Sequence, residues 1–308
     1  MRSLDPVLHV WDSHCHYHSR KQIEQRAQRR GVTLEELMKE WNAYRKLNRP
    51  NDPEYEIPPA DPVDMAKKWL VEMDKYSQND ISIDKVILFA RDLDSLKIAT
   101  DFSDRLIGFI FLDLAEDKDP VELLEIAVSK YDVQGIKMIP SNMGVHLYSK
   151  PYWPIYEFAE QHKLPITLHM GLLIGGGNLH YLNPLDVQPV AREFPGVNFI
   201  LAHLGGGYAR EILFLFYQTD NVYVDTSSSN IWYKYLPYPD ISLKSVFKKY
   251  LEVGALERIV FGTDSGSFPR GFRNNLLQDQ LEILRALGTS PEDIQKIMRD
   301  NFVKLLPG

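Results

Sequence analysis

Eight short runs rich in valine, isoleucine, leucine and phenylalanine recur along the chain, and amphipathic stretches of helical length fall between them. This alternation constrains the fold more than any other feature. The strand candidates are 7–13, 82–90, 106–114, 134–139, 166–169, 198–203, 222–226 and 258–263. Most are continuously apolar rather than alternating, as expected of a parallel sheet buried on both faces. Helices are expected near 61–78, 93–104, 119–130, 152–163, 185–194, 207–218 and 242–253, with two more near 275–287 and 290–306. Asp61-Pro62 reads as an N-cap followed by proline at the first helical position, and Ser290-Pro291 reads the same way, with Asp293 three residues after the cap. Eight strands alternating with helices predict an α/β fold, a (β/α)8 TIM barrel forming one domain over residues 1–308. The competing arrangement is an open doubly wound sheet. No GxGxxG turn follows the first strand, which weakens it.

One segment breaks the rhythm. Residues 17–60 separate the first strand from the first regular helix, far longer than the usual βα loop of about 2–6 residues. Thr33 to Glu36 matches a capping box, and Leu34, Leu37, Met38 and Trp41 follow at helical spacing. The segment holds nine Lys/Arg and seven Asp/Glu, so it has no strong polarity. A helical insertion after the first strand is therefore expected, folding over the barrel mouth as a lid or pocket wall. A surface or dimer-contact excursion is the alternative.

Charge and composition bound the partners. With 35 Lys plus Arg against 42 Asp plus Glu, the net charge is −7, which argues against nucleic acid as the default partner. No apolar run approaches the roughly 18 residues of a membrane span. The apolar stretch at the N-terminus is too short for a signal peptide. A single cysteine, Cys15, fits a reducing compartment, so the cytoplasm is the expected location. A small-molecule substrate is the partner expected.

The chemistry is concentrated at strand ends. The first strand closes on Asp12-Ser13-His14-Cys15-His16. Alternation puts His14 and His16 on one side, about 7 Å apart along an extended strand, close enough to converge on one metal ion. Strand five ends at His169, strand six at His203 and strand eight at Asp264, each after an apolar run and just before glycine. In a barrel these positions meet at the C-terminal rim. One histidine there is usually a hydrogen-bonded core residue. Four strands doing this together, with histidine and aspartate only, is not a demand of packing.

These residues resemble the amidohydrolase superfamily of metal-dependent (β/α)8 enzymes. The similarity is closest to the amidohydrolase-related branch that includes aminocarboxymuconate-semialdehyde decarboxylase-like enzymes. It runs from about residue 7 to 306 and rests on His14 and His16, Gly135-Ile136-Lys137, His169, His203-Leu-Gly-Gly, Gly-Thr-Asp264 and the closing Asp300-Asn-Phe-x-x-Leu-Leu. The resemblance implies His14, His16, His169 and Asp264 as ligands of one divalent metal, zinc, and His203 as a catalytic acid/base. It also implies a homodimer, and it raises Lys137, since binuclear members of the superfamily carry a carboxylated bridging lysine at the end of the fourth strand. An ion pair or substrate contact is expected of Lys137 here.

The physical reading is compatible with this. Three imidazoles and a carboxylate suit Zn²⁺ with an open position for water, although nitrogen and oxygen ligands also accept manganese, iron or cobalt. Asp264 could take a proton from a metal-activated water and pass it to a leaving group, and His203 could polarise a carbonyl or move protons. Weaker candidates surround them. The loop after strand seven is aromatic (Trp232, Tyr233, Tyr235, Tyr238) and could wall a flat substrate. Arg270 and Arg273 could hold an acidic one. The glycine-rich turns 175–177 and 205–207 could present N–H groups to an anion or could simply be turns. His180 is a weak candidate for a substrate contact. The expected function is a metal-dependent hydrolase acting on an amide, ester or lactone bond of a small, acidic or aromatic substrate. The alternatives are a non-oxidative decarboxylase of an unsaturated or aromatic acid using the same site, and a non-catalytic binding protein.

Overall fold

The computed structural model describes residues 7–48, 54–78, 80–173, 177–228, 232–237, 240–266 and 271–308. Its eight strands lie in one all-parallel sheet in sequence order. They are β1 (Leu8–His16), β2 (Ile81–Ala90), β3 (Leu106–Phe111), β4 (Ile136–Met138), β5 (Ile166–Leu168), β6 (Phe199–Leu201), β7 (Val222–Asp225) and β8 (Ile259–Val260). The sheet closes between its last and first members. Ser13 N donates to Phe261 O at 3.0 Å, Asp264 N to His14 O at 2.9 Å and His16 N to Ser265 O at 2.7 Å. The architecture is the (β/α)8 TIM barrel expected from the alternation. Strand eight is shorter than its apolar run because residues 261–265 make this irregular seam instead of a ladder.

The helices form where apolar spacing and caps coincide. The helix Pro62–Tyr76 starts on Asp61, whose side chain accepts from Val63 N at 2.9 Å, with proline at its first position, and it buries Met65, Ala66, Trp69 and Met73 against the sheet. The expected helix 290–306 is a short helix (Pro291–Gln295), a widened π turn (Lys296–Asp300) and a final turn (Asn301–Val303). The cause lies in the barrel, because Phe261 N takes the Ile297 carbonyl at 2.9 Å. Asn301 Nδ2 donates to Leu256 O and Ile259 O, which pins this element beneath β8.

Residues 17–60 contain two helices, α1 (Arg20–Arg30) and α2 (Leu34–Asn48). Both halves of the Thr33 capping box form: Glu36 N donates to Thr33 Oγ1 at 3.1 Å and Thr33 N to Glu36 Oε2 at 2.7 Å. Ile23, Ala27, Leu37 and Met38 make a small core of their own, flanked by Trp41, Tyr55 and Ile57. Arg29 reaches Glu116 at 3.0 Å, tying α1 to the loop after β3. Among the described residues no helix is long and apolar enough to cross a membrane.

Asn221, buried just before β7, spreads its Nδ2 hydrogens over the carbonyls of Ala191, Phe194 and Val197 at 2.8–3.1 Å. Truncation takes this donor from the buried carbonyls of Ala191 and Val197, each costing about 1–3 kcal/mol, while Phe194 O keeps Val197 N. Asn221→Ala is expected to lower unfolding free energy by on the order of 3 kcal/mol in denaturant titration. An unchanged midpoint would remove this role.

Candidate metal centre

The barrel seam decides what meets at the mouth. Because the backbone of Asp264 bonds to that of His14, the carboxylate lands beside both β1 imidazoles. Asp264 Oδ1 lies 3.1 Å from His16 Nε2 and 3.7 Å from His14 Nε2. His14 is fully buried, and its Nε2 has no hydrogen-bond partner among the described residues. Its other nitrogen is occupied: Nδ1 stands 2.8 Å from Asp225 Oδ2. A carboxylate on one imidazole nitrogen, with the other aimed at a convergent histidine and aspartate, is the donor arrangement of a metal ligand held by its outer shell. His14, His16 and Asp264 could therefore hold a divalent ion.

The end of β1 is itself held in place. Asp12 Oδ1 accepts from His14 N at 3.1 Å and from Thr263 N at 2.9 Å, and Asp12 also bonds the Thr263 hydroxyl. Burial lifts the Asp12 carboxyl to about 6 against the opposing pull of these hydrogen bonds. A register irregularity against β2 falls between Asp12 and Cys15, so the histidines leave a kinked strand end. Their ring centroids are 5.3 Å apart.

His203 follows β6. Its Nδ1 lies 2.8 Å from Ser227 Oγ and 3.0 Å from Ser227 O, and its backbone N donates to Asp225 Oδ1 at 3.0 Å. Its Nε2 lies 3.0 Å from His169 Nδ1, and His169 Nε2 stands 3.3 Å from Leu172 O. The nitrogens of His169 thus face His203 and Leu172, and the structure does not bring His169 into the His14–His16–Asp264 group. His203 and Asp264 both sit at positive φ, 64° and 59°. Each such non-glycine residue carries strain of roughly 1–3 kcal/mol, of the kind that clusters at functional sites.

Glycine makes the His169–His203 contact possible. Leu172 N donates to Gly206 O at 2.9 Å, so the loops after β5 and β6 are stitched together. A Cβ on Gly171 would lie 2.3 Å from Gly206 O, and one on Gly206 would lie 2.4 Å from Met170 O. The N–H of Gly206 is spent on His203 O and so does not serve the anion contact considered for this turn. Gly175 and Gly176 lie outside the described residues.

Electrostatics favours the neutral form of His14, His169 and His203, the form that metal ligation requires. Burial, reinforced by the Lys137 charge, pushes His14 down to about 3, with Asp225 pulling the other way. Burial likewise lowers His203, and burial with the His203 and Lys137 charges holds His169 well below its usual range. Burial alone would raise both carboxyls, but the His16 hydrogen bond and neighbouring imidazoles hold Asp264 well below normal, and His14 does the same for Asp225.

The remaining sequence candidates divide. Lys137 is buried, with its Nζ 5.1 Å over the Phe89 ring and without a hydrogen-bond partner among the described residues; burial lowers it to about 8. Arg273 Nη1 donates to Thr263 O at 3.1 Å and lies 3.9 Å from Asp264 Oδ2, placing it beside the carboxylate. Trp232 is buried in the main core rather than lining an open wall, and Tyr235 is exposed. Arg270 and Tyr238 lie outside the described residues. The insertion reaches the site: His16 and His18 line a narrow pocket with Met38, Trp41, Tyr55 and Trp69.

Sequence reasoning missed Asp225 and Ser227. Asp225 obeys the same rule as the others, an apolar run ending in a metal-competent side chain, but serine and threonine follow it instead of glycine. Its role is testable. Asp225→Asn keeps the shape but loses the charge that fixes the His14 tautomer. Chelator competition is expected to show metal affinity 10–100-fold weaker, within the range of about 10–100-fold for outer-shell partners. Unchanged affinity would reduce Asp225 to a packing residue.

A family model described as Amidohydrolase matches residues 9–308. Protein fluG of Emericella nidulans is 31% identical over 123 residues, which span 38% of this chain and 13% of that protein. An uncharacterised TIM-barrel protein from Bordetella bronchiseptica superposes with a TM-score of 0.67 at 15% identity, covering 97% of this chain and 98% of that one. A 5-carboxyvanillate decarboxylase from Novosphingobium aromaticivorans, solved with bound manganese, gives a TM-score of 0.63 at 14% identity, covering 98% and 97%. At these identities the structural likeness shows the fold.

Proposed function

The chain belongs to the amidohydrolase family and is an enzyme of that superfamily, and from this premise we propose that it is a metal-dependent hydrolase of an amide, ester or lactone bond. The observation that carries the reading is the buried Nε2 of His14, without a hydrogen-bond partner among the described residues, backed by Asp225 and facing His16 and Asp264. His14, His16 and Asp264 are the residues that would hold the ion, with zinc first among candidates and His169 as a further ligand only if its ring leaves His203. When bound, a divalent ion supplies Lewis acidity and lowers the pKa of a coordinated water toward neutrality.

The chain's own groups do the rest. Asp225 accepts the Nδ1 proton of His14, so Nε2 keeps its lone pair. Asp264, held ionised, accepts a proton from the attacking water and returns it to the leaving group. His203, held neutral and fixed by Ser227, orients the substrate carbonyl or carries a proton with His169. Lys137 supplies a buried positive charge, and Arg273 a second cation beside Asp264, for an acidic substrate. The insertion narrows access beside His16.

The experiment is elemental analysis of the purified protein together with turnover assays on amides, esters and lactones bearing a carboxylate. A metal-loaded protein inactive on all of them overturns the hydrolase. One observation favours a second reading, decarboxylation: the buried Lys137 ammonium suits a carboxylate, and a neighbour of the same fold is a decarboxylase. Carbon dioxide released from aromatic or muconate-type acids without hydrolysis would select it.

A further inference from the structure

A second imidazole cluster lies on the loops after β4 and β5 and shares no member with the centre described above. His146 Nδ1 stands 2.7 Å from Asp186 Oδ2, and His146 Nε2 stands 3.2 Å from His180 Nε2. The two rings cross at 70° with centroids 4.7 Å apart. Tyr148 stacks on His146 at 5.0 Å, and Tyr181 meets both imidazoles edge-on at 5.1 and 5.2 Å. Local turns fix the parts: His180 N donates to Asn178 Oδ1, and Asp186 closes a turn begun by Asn183-Pro184.

Two ring nitrogens this close either share a proton or share a cation. Asp186 settles the His146 tautomer: its carboxylate accepts the Nδ1 proton, so Nε2 presents a lone pair. Zinc–imidazole bonds run about 2.0–2.1 Å, so nitrogens at the observed separation subtend roughly 100° at an ion, close to tetrahedral. The carboxylate–imidazole pair behind one ligand repeats the logic of Asp225 and His14.

We propose that His146 and His180 form a second binding site for a divalent ion of the zinc class, oriented by Asp186 and completed by solvent. An ion there clips the β4 loop to the β5 loop at the barrel mouth. With two protein ligands it binds more weakly than the barrel centre and fills after it.

The probe is Zn²⁺ titrated at equilibrium into chelator-stripped protein, in competition with a chromophoric chelator. The parent is expected to take up two ions of unequal affinity. His180→Ala and His146→Ala should each keep the tight ion and lose the weak one. His14→Ala should lose the tight ion and keep the weak one, so failure of the barrel reading shows separately. Asp186→Asn should weaken only the second ion, by about 10–100-fold. A parent that saturates at one ion, with that ion kept in both His146→Ala and His180→Ala, overturns the proposal. So does a second ion that survives both His146→Ala and His180→Ala, because it must then sit elsewhere.

Discussion

A His14→Ala variant is expected to purify without the divalent ion proposed for the barrel, and to lose turnover by on the order of a thousandfold. The magnitude follows from the several kcal/mol of charge stabilisation that a bound ion supplies, at about 1.4 kcal/mol per tenfold. His14 is the residue to change because it joins both halves of the centre. Its Nε2 faces Asp264 and its Nδ1 holds Asp225, which in turn bonds the backbones of His203 and Ser227. Circular dichroism and melting separate this loss from unfolding, since the strand itself is anchored through Asp12 and the β8 seam. A variant that retains the barrel ion and most activity would sink the metal assignment. Asp264→Asn tests the same centre from the other side of the seam.

His203→Ala is expected to do something different: turnover falls by about 10²–10⁴-fold, as for loss of a general acid–base group, while the ion stays bound. The geometry separates the two outcomes. His203 Nε2 points to His169, 3.0 Å away, and His203 is not in the His14–His16–Asp264 group, although His14, His203 and Asp225 also stand close enough to converge. Ser227 receives the other nitrogen, so the ring is held without help from an ion. Loss of metal in this variant would make His203 a ligand and exchange its role with that of another histidine. A fall in kcat with an unchanged KM would place its contribution in the reacting state.

The barrel was readable because most strands are buried, largely apolar runs whose length and spacing survive in one dimension. The convergence of His14, His16 and Asp264 was readable for a related reason, since strand ends of a barrel share one rim whatever their separation in sequence. The contacts of His169 were not. They depend on the close approach of Gly171 and Gly206, a three-dimensional fit that no periodicity encodes. Trp232 looked like a wall residue because aromatic residues crowd its loop, but hydrophobic burial took it into the core. Half of the insertion was legible through the Thr33 capping box. Helix α1 was not, because only Ile23 and Ala27 on it are buried and the rest reads as a polar stretch.

The β8–β1 seam also orders events during synthesis. His14 and His16 leave the ribosome roughly 250 positions ahead of Asp264. At about 5–20 residues per second that gap lasts on the order of tens of seconds. Throughout it the nascent chain holds the two imidazoles without the Asp264 carboxylate, so the three-residue group is complete only when the final strand joins.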